Sequence, residues 1–97
     1  MDIENQAREL AKALEDSKAS DVKIYDVRGM SGFTDFFVVA TGAAAPHLKA
    51  LVKALPKAYR ISGDPESGWI VADYVDVVVH VFSAEARAYY ALEKLWA

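Results

Sequence analysis

The stretch that decides the fold is Gly68-Trp69-Ile70-Val71-Ala72-Asp73-Tyr74-Val75-Asp76-Val77-Val78-Val79-His80-Val81-Phe82. It is an almost unbroken run of strand formers, interrupted by two aspartates and a histidine, groups that are costly to bury unless paired or hydrogen-bonded. A tight turn centred on Tyr74-Val75 makes it two antiparallel strands, with Asp73 opposite Asp76, Val71 opposite Val78 and Trp69 opposite His80. Side chains alternate along a strand, so these six share one face, which Phe82 extends. The other face carries Ile70, Ala72, Tyr74, Val77, Val79 and Val81; it has no charge and is the expected core face beneath helices. An aromatic, valines, two carboxylates and a histidine together are the mixture expected of a patch that meets another surface. Register is set at Val75, a β-branched residue poorly suited to the positive φ of a primed hairpin turn.

Upstream, Ile3, Ala7, Leu10, Ala11 and Leu14 recur at the spacing of a surface helix with one buried stripe, with Asp2 as N-cap and an exit near Asp16-Ser17-Lys18. Residues 21–28 alternate as a strand with mixed faces, and Gly29-Met30-Ser31-Gly32 supplies a turn. Phe36-Phe37-Val38-Val39-Ala40 has no alternation, which predicts an interior strand covered on both faces. Thr41-Gly42 ends it. Pro46 then starts a helix marked by Leu48, Leu51, Val52 and Leu55, and Pro56 stops it. Tyr59-Arg60-Ile61-Ser62 is a short strand and residues 63–68 form a loop. The final helix runs from Glu85 to Trp96, capped by Ser83, with Ala84, Ala88, Leu92 and Leu95 on one side. The order helix, strand, strand, helix, three strands, helix predicts an α+β fold, a mixed α/β sandwich whose helices cover one face of a mixed sheet.

The 97 residues suit one domain, spanning 1–97. With 54% hydrophobic and 26% charged residues, the chain is expected to fold. A net charge of −3, with the basic residues scattered, disfavours charge-driven nucleic-acid binding and suits a basic partner. Absent cysteine excludes disulfides, thiolate metal sites and a cysteine nucleophile. No stretch resembles a signal or transit peptide, and none reaches the ~20 apolar residues that span a bilayer, so a soluble cytoplasmic protein without membrane attachment is expected.

Asp73, Asp76 and His80 form the one cluster that suggests chemistry, as a divalent-metal or acid/base site. A metal or phosphate site usually adds a glycine-rich anion loop or a third carboxylate, and neither is present. Two aspartates at a turn are ordinarily turn and cap formers, and His80 and His47 read as hydrogen-bonded surface or half-buried histidines. Trp69 is open to packing or to partner contact. Trp96 is expected to pack at the domain edge, and one of the adjacent Tyr89 and Tyr90 to reach the core. The lysines at 12, 18, 23, 49, 53 and 57 read as solvated surface.

Five stretches, taken in order, resemble the Iojap family, the ribosomal silencing factors: residues 26–31 (DVRGMS), 34–42 (TDFFVVATG), 69–74 (WIVADY), 76–82 (DVVVHVF) and 90–96 (YALEKLW). The resemblance covers nearly the whole chain. It implies a nucleotidyltransferase-like fold without the catalytic carboxylates: no enzyme, no metal and no cofactor. It further implies binding to the large ribosomal subunit through ribosomal protein L fourteen, steric block of small-subunit association, and repression of translation. The partner-binding role carries onto Trp69, Val71, Asp73, Asp76, Val78, His80 and Phe82, with Glu85 and Tyr89 beside them; Asp35, Thr41 and Gly42 match as fold residues. The chain departs from the family pattern in Ala43-Ala44-Ala45-Pro46, in Val75 where glycine is usual, and in a shortened 48–68 segment. Two other readings of the same face are a small metal-dependent nucleotidyltransferase using Asp73 and Asp76, and a homodimer.

Overall fold

The computed structural model describes residues 2–30, 32 and 34–95. Its elements follow the expected order: α1 (Ile3–Asp16), β1 (Ser20–Asp26), β2 (Phe36–Gly42), α2 (Ala45–Ala54), β3 (Arg60–Asp64), β4 (Trp69–Asp73), β5 (Val77–Ser83) and α3 (Ala84–Tyr90), then a 3-10 turn at Leu92–Leu95. The five strands form one mixed sheet in the order β1-β2-β5-β4-β3, in which only β2 and β5 run parallel. This is the α+β architecture expected from the sequence.

Each helix starts where its local chemistry dictates. The Asp2 carboxylate accepts from the Glu4 N–H at 3.2 Å and opens α1, whose Ala7, Leu10, Ala11 and Leu14 are buried as one stripe. Pro46 lies in the first turn of α2, and the helix ends at Ala54, ahead of Pro56. Gly42 lets α2 approach β2 closely: a Cβ there would stand 2.6 Å from Leu48 Cδ2. The main core lies between these two helices and one sheet face, where Phe36, Val38, Ala40, Ile70, Ala72, Val77, Val79 and Val81 are all buried. Tyr74 packs at its margin and donates its hydroxyl to the Pro56 carbonyl at 2.5 Å.

Two expectations are corrected at the ends of elements. β3 reaches Asp64, pairing with all of β4 from Arg60↔Asp73 to Asp64↔Trp69, so Gly63 and Asp64 are strand rather than loop. The final helix stops at Tyr90 because Ala91 takes a left-handed backbone, φ 49°, and the chain turns back in a 3-10 turn. The expected stripe of Ala84, Ala88, Leu92 and Leu95 is therefore broken. Ala86 is the buried residue of α3, and Leu95 is exposed. Unlike α1 and α2, α3 packs on the opposite sheet face, where Ala86 joins Val39 and Phe82 in a second, smaller cluster.

Candidate functional site

The β4–β5 hairpin carries the candidate surface, and its register differs from the expected one by two residues: Trp69 pairs with Phe82, Val71 with His80 and Asp73 with Val78. A shift of two leaves every side chain on its expected face, because the pleat repeats every two residues. Trp69, Val71, Asp73, Val78, His80 and Phe82 thus share the face opposite α1 and α2. Asp76 does not. It falls in the connection between strands, exposed, with its carbonyl accepting the N–H groups of Asp35 and Phe36 at 3.0 and 3.2 Å.

The connection explains the shift. Val75 adopts φ 73°, the left-handed region, and the Asp73 carboxylate accepts its N–H at 2.7 Å. An aspartate bonding the backbone two residues ahead is a turn former, so this carboxylate is engaged in closing the loop. Among the described residues, no group of three or more His, Cys, Asp or Glu side chains is placed to hold a metal ion.

His80 and Phe82 lie deeper than an exposed patch allows. Phe82 is 1% exposed and His80 7%, because the C-terminal turn folds over this end of the sheet: Ala86, Leu92, Tyr25 and Trp69 close around Phe82 and Val39. Trp69 stacks on Phe82 at 5.2 Å and meets Tyr90 at 4.6 Å. Its indole N–H donates to His80 Nδ1 at 3.2 Å. Burial pushes the His80 pKa down to about 4. Trp69 therefore packs, and its outer edge remains half-exposed. Val71, Asp73 and Val78 are half-buried, and Glu85 is exposed. Tyr89 and Tyr90 are both exposed, Tyr89 at 83%, with Tyr89 edge-on to Tyr90; neither enters the core. His47 is a hydrogen-bonded, half-buried histidine, its Nδ1 accepting the Ala43 N–H and its Nε2 beside the Ser17 carbonyl, each at 2.9 Å. The expected packing of Trp96 lies outside the described residues.

What holds the cover in place was not singled out from the sequence. Arg87 donates to both Glu93 carboxylate oxygens at 2.6 and 2.9 Å, to the Asp21 carbonyl at 2.7 Å and to Thr41 Oγ1 at 2.8 Å. Tyr25 donates its hydroxyl to Glu93 as well. Arg87 lowers the Glu93 pKa, and burial together with the Glu93 bond raises that of Tyr25 to about 12. The signal was the pair Arg87 and Glu93, six apart; a continuous helix would have placed them on different faces. The bend at Ala91 brings them together.

The model of the family described as ribosomal silencing factor during starvation matches residues 1–97. The chain belongs to the ribosomal silencing factor family. It is 37% identical over 92 residues to the ribosomal silencing factor of Halalkalibacterium halodurans, covering 87% of this chain and 79% of that protein. It is 36% identical over 104 residues to the one from Treponema pallidum, covering 99% of this chain and 94% of the relative. The crystal structure of a protein from Chromobacterium violaceum, 31% identical, superposes with a TM-score of 0.90 over 99% of this chain and 87% of that one. In this silencing-factor domain, the sheet face opposite α1 and α2 divides into a covered end at Phe82 and an outer region of Val71, Asp73 and Val78. No described helix is long and apolar enough to cross a membrane.

Proposed function

We propose that the chain acts in the cytoplasm as a translation repressor, binding the large ribosomal subunit through ribosomal protein L fourteen and blocking association of the small subunit by steric occlusion. The action needs no covalent chemistry and no cofactor. The observation that carries the reading is the outer region of the hairpin face: among the described residues, Val71 and Val78 belong to neither core cluster, and Asp73 lies at their end. Trp69 lies two residues before Val71 on the same face and meets Tyr90, against which Tyr89 stands edge-on. Apolar atoms beside a carboxylate suit a basic ribosomal protein, the first giving affinity and the second orientation. Phe82 and His80 are buried at the covered end of this face, so the contact set narrows to Trp69, Val71, Asp73, Val78, Glu85 and Tyr89, with Asp76 at its rim.

Co-sedimentation with isolated large and small subunits tests this, with Val71→Lys and Tyr89→Ala alongside. Wild type should pellet with the large subunit and reduce joined ribosomes, and both variants should lose both effects while keeping their thermal midpoints. Wild-type pelleting with equal binding by the variants would move the interface elsewhere. Failure to pellet with either subunit would overturn the reading. Light scattering at two concentrations shows whether the same face instead pairs two copies.

A further inference from the structure

The helix layer stops short of the sheet edge. β3 is exposed along its whole length, and Ile61, paired with Ala72 of the core face, points toward the helix side yet is 53% exposed. An open groove runs there between α2 and β3, with Pro46, Val52, Ile61 and Ile70 as its apolar lining and Lys49 and Lys53 on its α2 wall. Helices pack at about 8–10 Å between axes, so a helix laid beside α2 would rest on Ile61 and complete the layer.

The charge around the groove is one-sided. No Asp or Glu occurs between Asp35 and Asp64, while Lys49, Lys53, Lys57 and Arg60 fall in that interval of an otherwise acidic chain. Among the described residues, ion pairs engage Arg8, Lys12, Lys23, Arg28 and Arg87, and none engages these four. Among the described residues, Glu66 is the one acidic residue lining the groove, and it lies on the loop between β3 and β4, not on α2.

We propose that this groove is a second docking site, distinct from the hairpin face, and that it takes an amphipathic helix of a protein partner bearing acidic residues on the flank that meets α2. An apolar floor with no aromatic residue in its lining is a poor platform for nucleic-acid bases, which need stacking surfaces. A second copy of this chain fits less well, because α1 and α2 already spend their apolar stripes on their own sheet.

The test uses a fluorescein-labelled amphipathic peptide with a leucine stripe flanked by glutamates, and its lysine-flanked counterpart, with anisotropy as the readout. The glutamate peptide should bind wild type more tightly, by up to about fivefold for each lysine engaged. Lys49→Glu/Lys53→Glu should reverse the preference, and Ile61→Ser, an exposed position that leaves the fold intact, should weaken both peptides roughly tenfold. Equal binding of the two peptides, or binding insensitive to Ile61→Ser, overturns the proposal. So does single-stranded RNA that binds through the lysines while ignoring Ile61→Ser, or a concentration-dependent dimer that Ile61→Ser dissolves.

Discussion

Trp69 donates its indole N–H to Nδ1 of His80, a diagonal neighbour across the β4–β5 pair, and so defines the state of that histidine. Indole is a donor only, so Nδ1 must hold a lone pair and the ring is neutral with its proton on Nε2. Phe37, Trp69 and Phe82 surround the imidazole at centroid distances of 5.1 to 6.0 Å, and this apolar setting disfavours the cation.

Acid should therefore destabilise the fold before most carboxylates titrate. In the unfolded chain His80 takes a proton near its ordinary value of 6.5, whereas the folded protein refuses it until about pH 4. The contribution is fully present above the unfolded value and is lost as pH falls through that window, by roughly 1 kcal/mol at pH 5.5. Urea unfolding at pH 7.5 and 5.5 reads this directly. His80→Gln, whose amide oxygen can still accept from Trp69, should flatten the difference, and an unchanged slope would show that another group carries it.

Removing the charge of Glu93 should release the C-terminal turn. Glu93→Gln leaves Arg87, 11% exposed, without its carboxylate, a loss on the order of 1–3 kcal/mol for hydrogen bonds to a charged group. Amide exchange should accelerate at Leu92–Leu95 first, since Glu93 ties this turn, whose Leu92 packs on the Phe82 cluster, to Arg87. Because Arg87 holds the Glu93 carboxyl low, the anchor is complete above the usual carboxylate range and fails as pH drops through the depressed value. Exchange at Leu92–Leu95 that matches wild type would refute the anchoring role.

Val75→Gly should stabilise the protein. A β-branched residue at φ 73° carries roughly 1–3 kcal/mol of backbone strain, and glycine returns roughly 0.5–1 of that through its greater unfolded-state entropy. A net gain of about 1 kcal/mol is expected, read as a thermal midpoint raised by several degrees, with the Asp73 to Val75 bond retained.

Gly68→Ala should do the opposite. Gly68 has φ 81°, and a Cβ there would meet Ser83 Oγ at 2.6 Å and Ala86 Cβ at 3.3 Å. Ser83 caps α3 by accepting from the Ala86 N–H at 3.1 Å, so the substitution strains the backbone and displaces the cap together, costing about 2 kcal/mol or more. Circular dichroism melts with Ser83→Ala as the single-cap control separate the two parts.

Much of the hairpin was legible because alternation is a local property: the core face of Ile70, Ala72, Val77, Val79 and Val81 follows from a period of two, whatever the register. The turn was not, since a two-residue slip leaves that pattern intact while moving Asp76 from the ladder into the connection. The helix starts at Asp2, Pro46 and Ser83 were also readable, because caps and prolines act on their nearest neighbours.

The sequence alone thus determined the order of elements, the inward face of the two hairpin strands and the family, all carried by short-range patterns and ordered motifs. Only the tertiary structure decided which mixed-face residues remain open. That depends on Ala91 bending the chain so that Glu93 reaches Arg87 and Tyr25, contacts spanning up to 68 residues. Their closure buries Phe82, against which His80 stacks, and leaves Val71 and Val78 half-exposed, an outcome no local periodicity encodes because it arises from packing between distant segments.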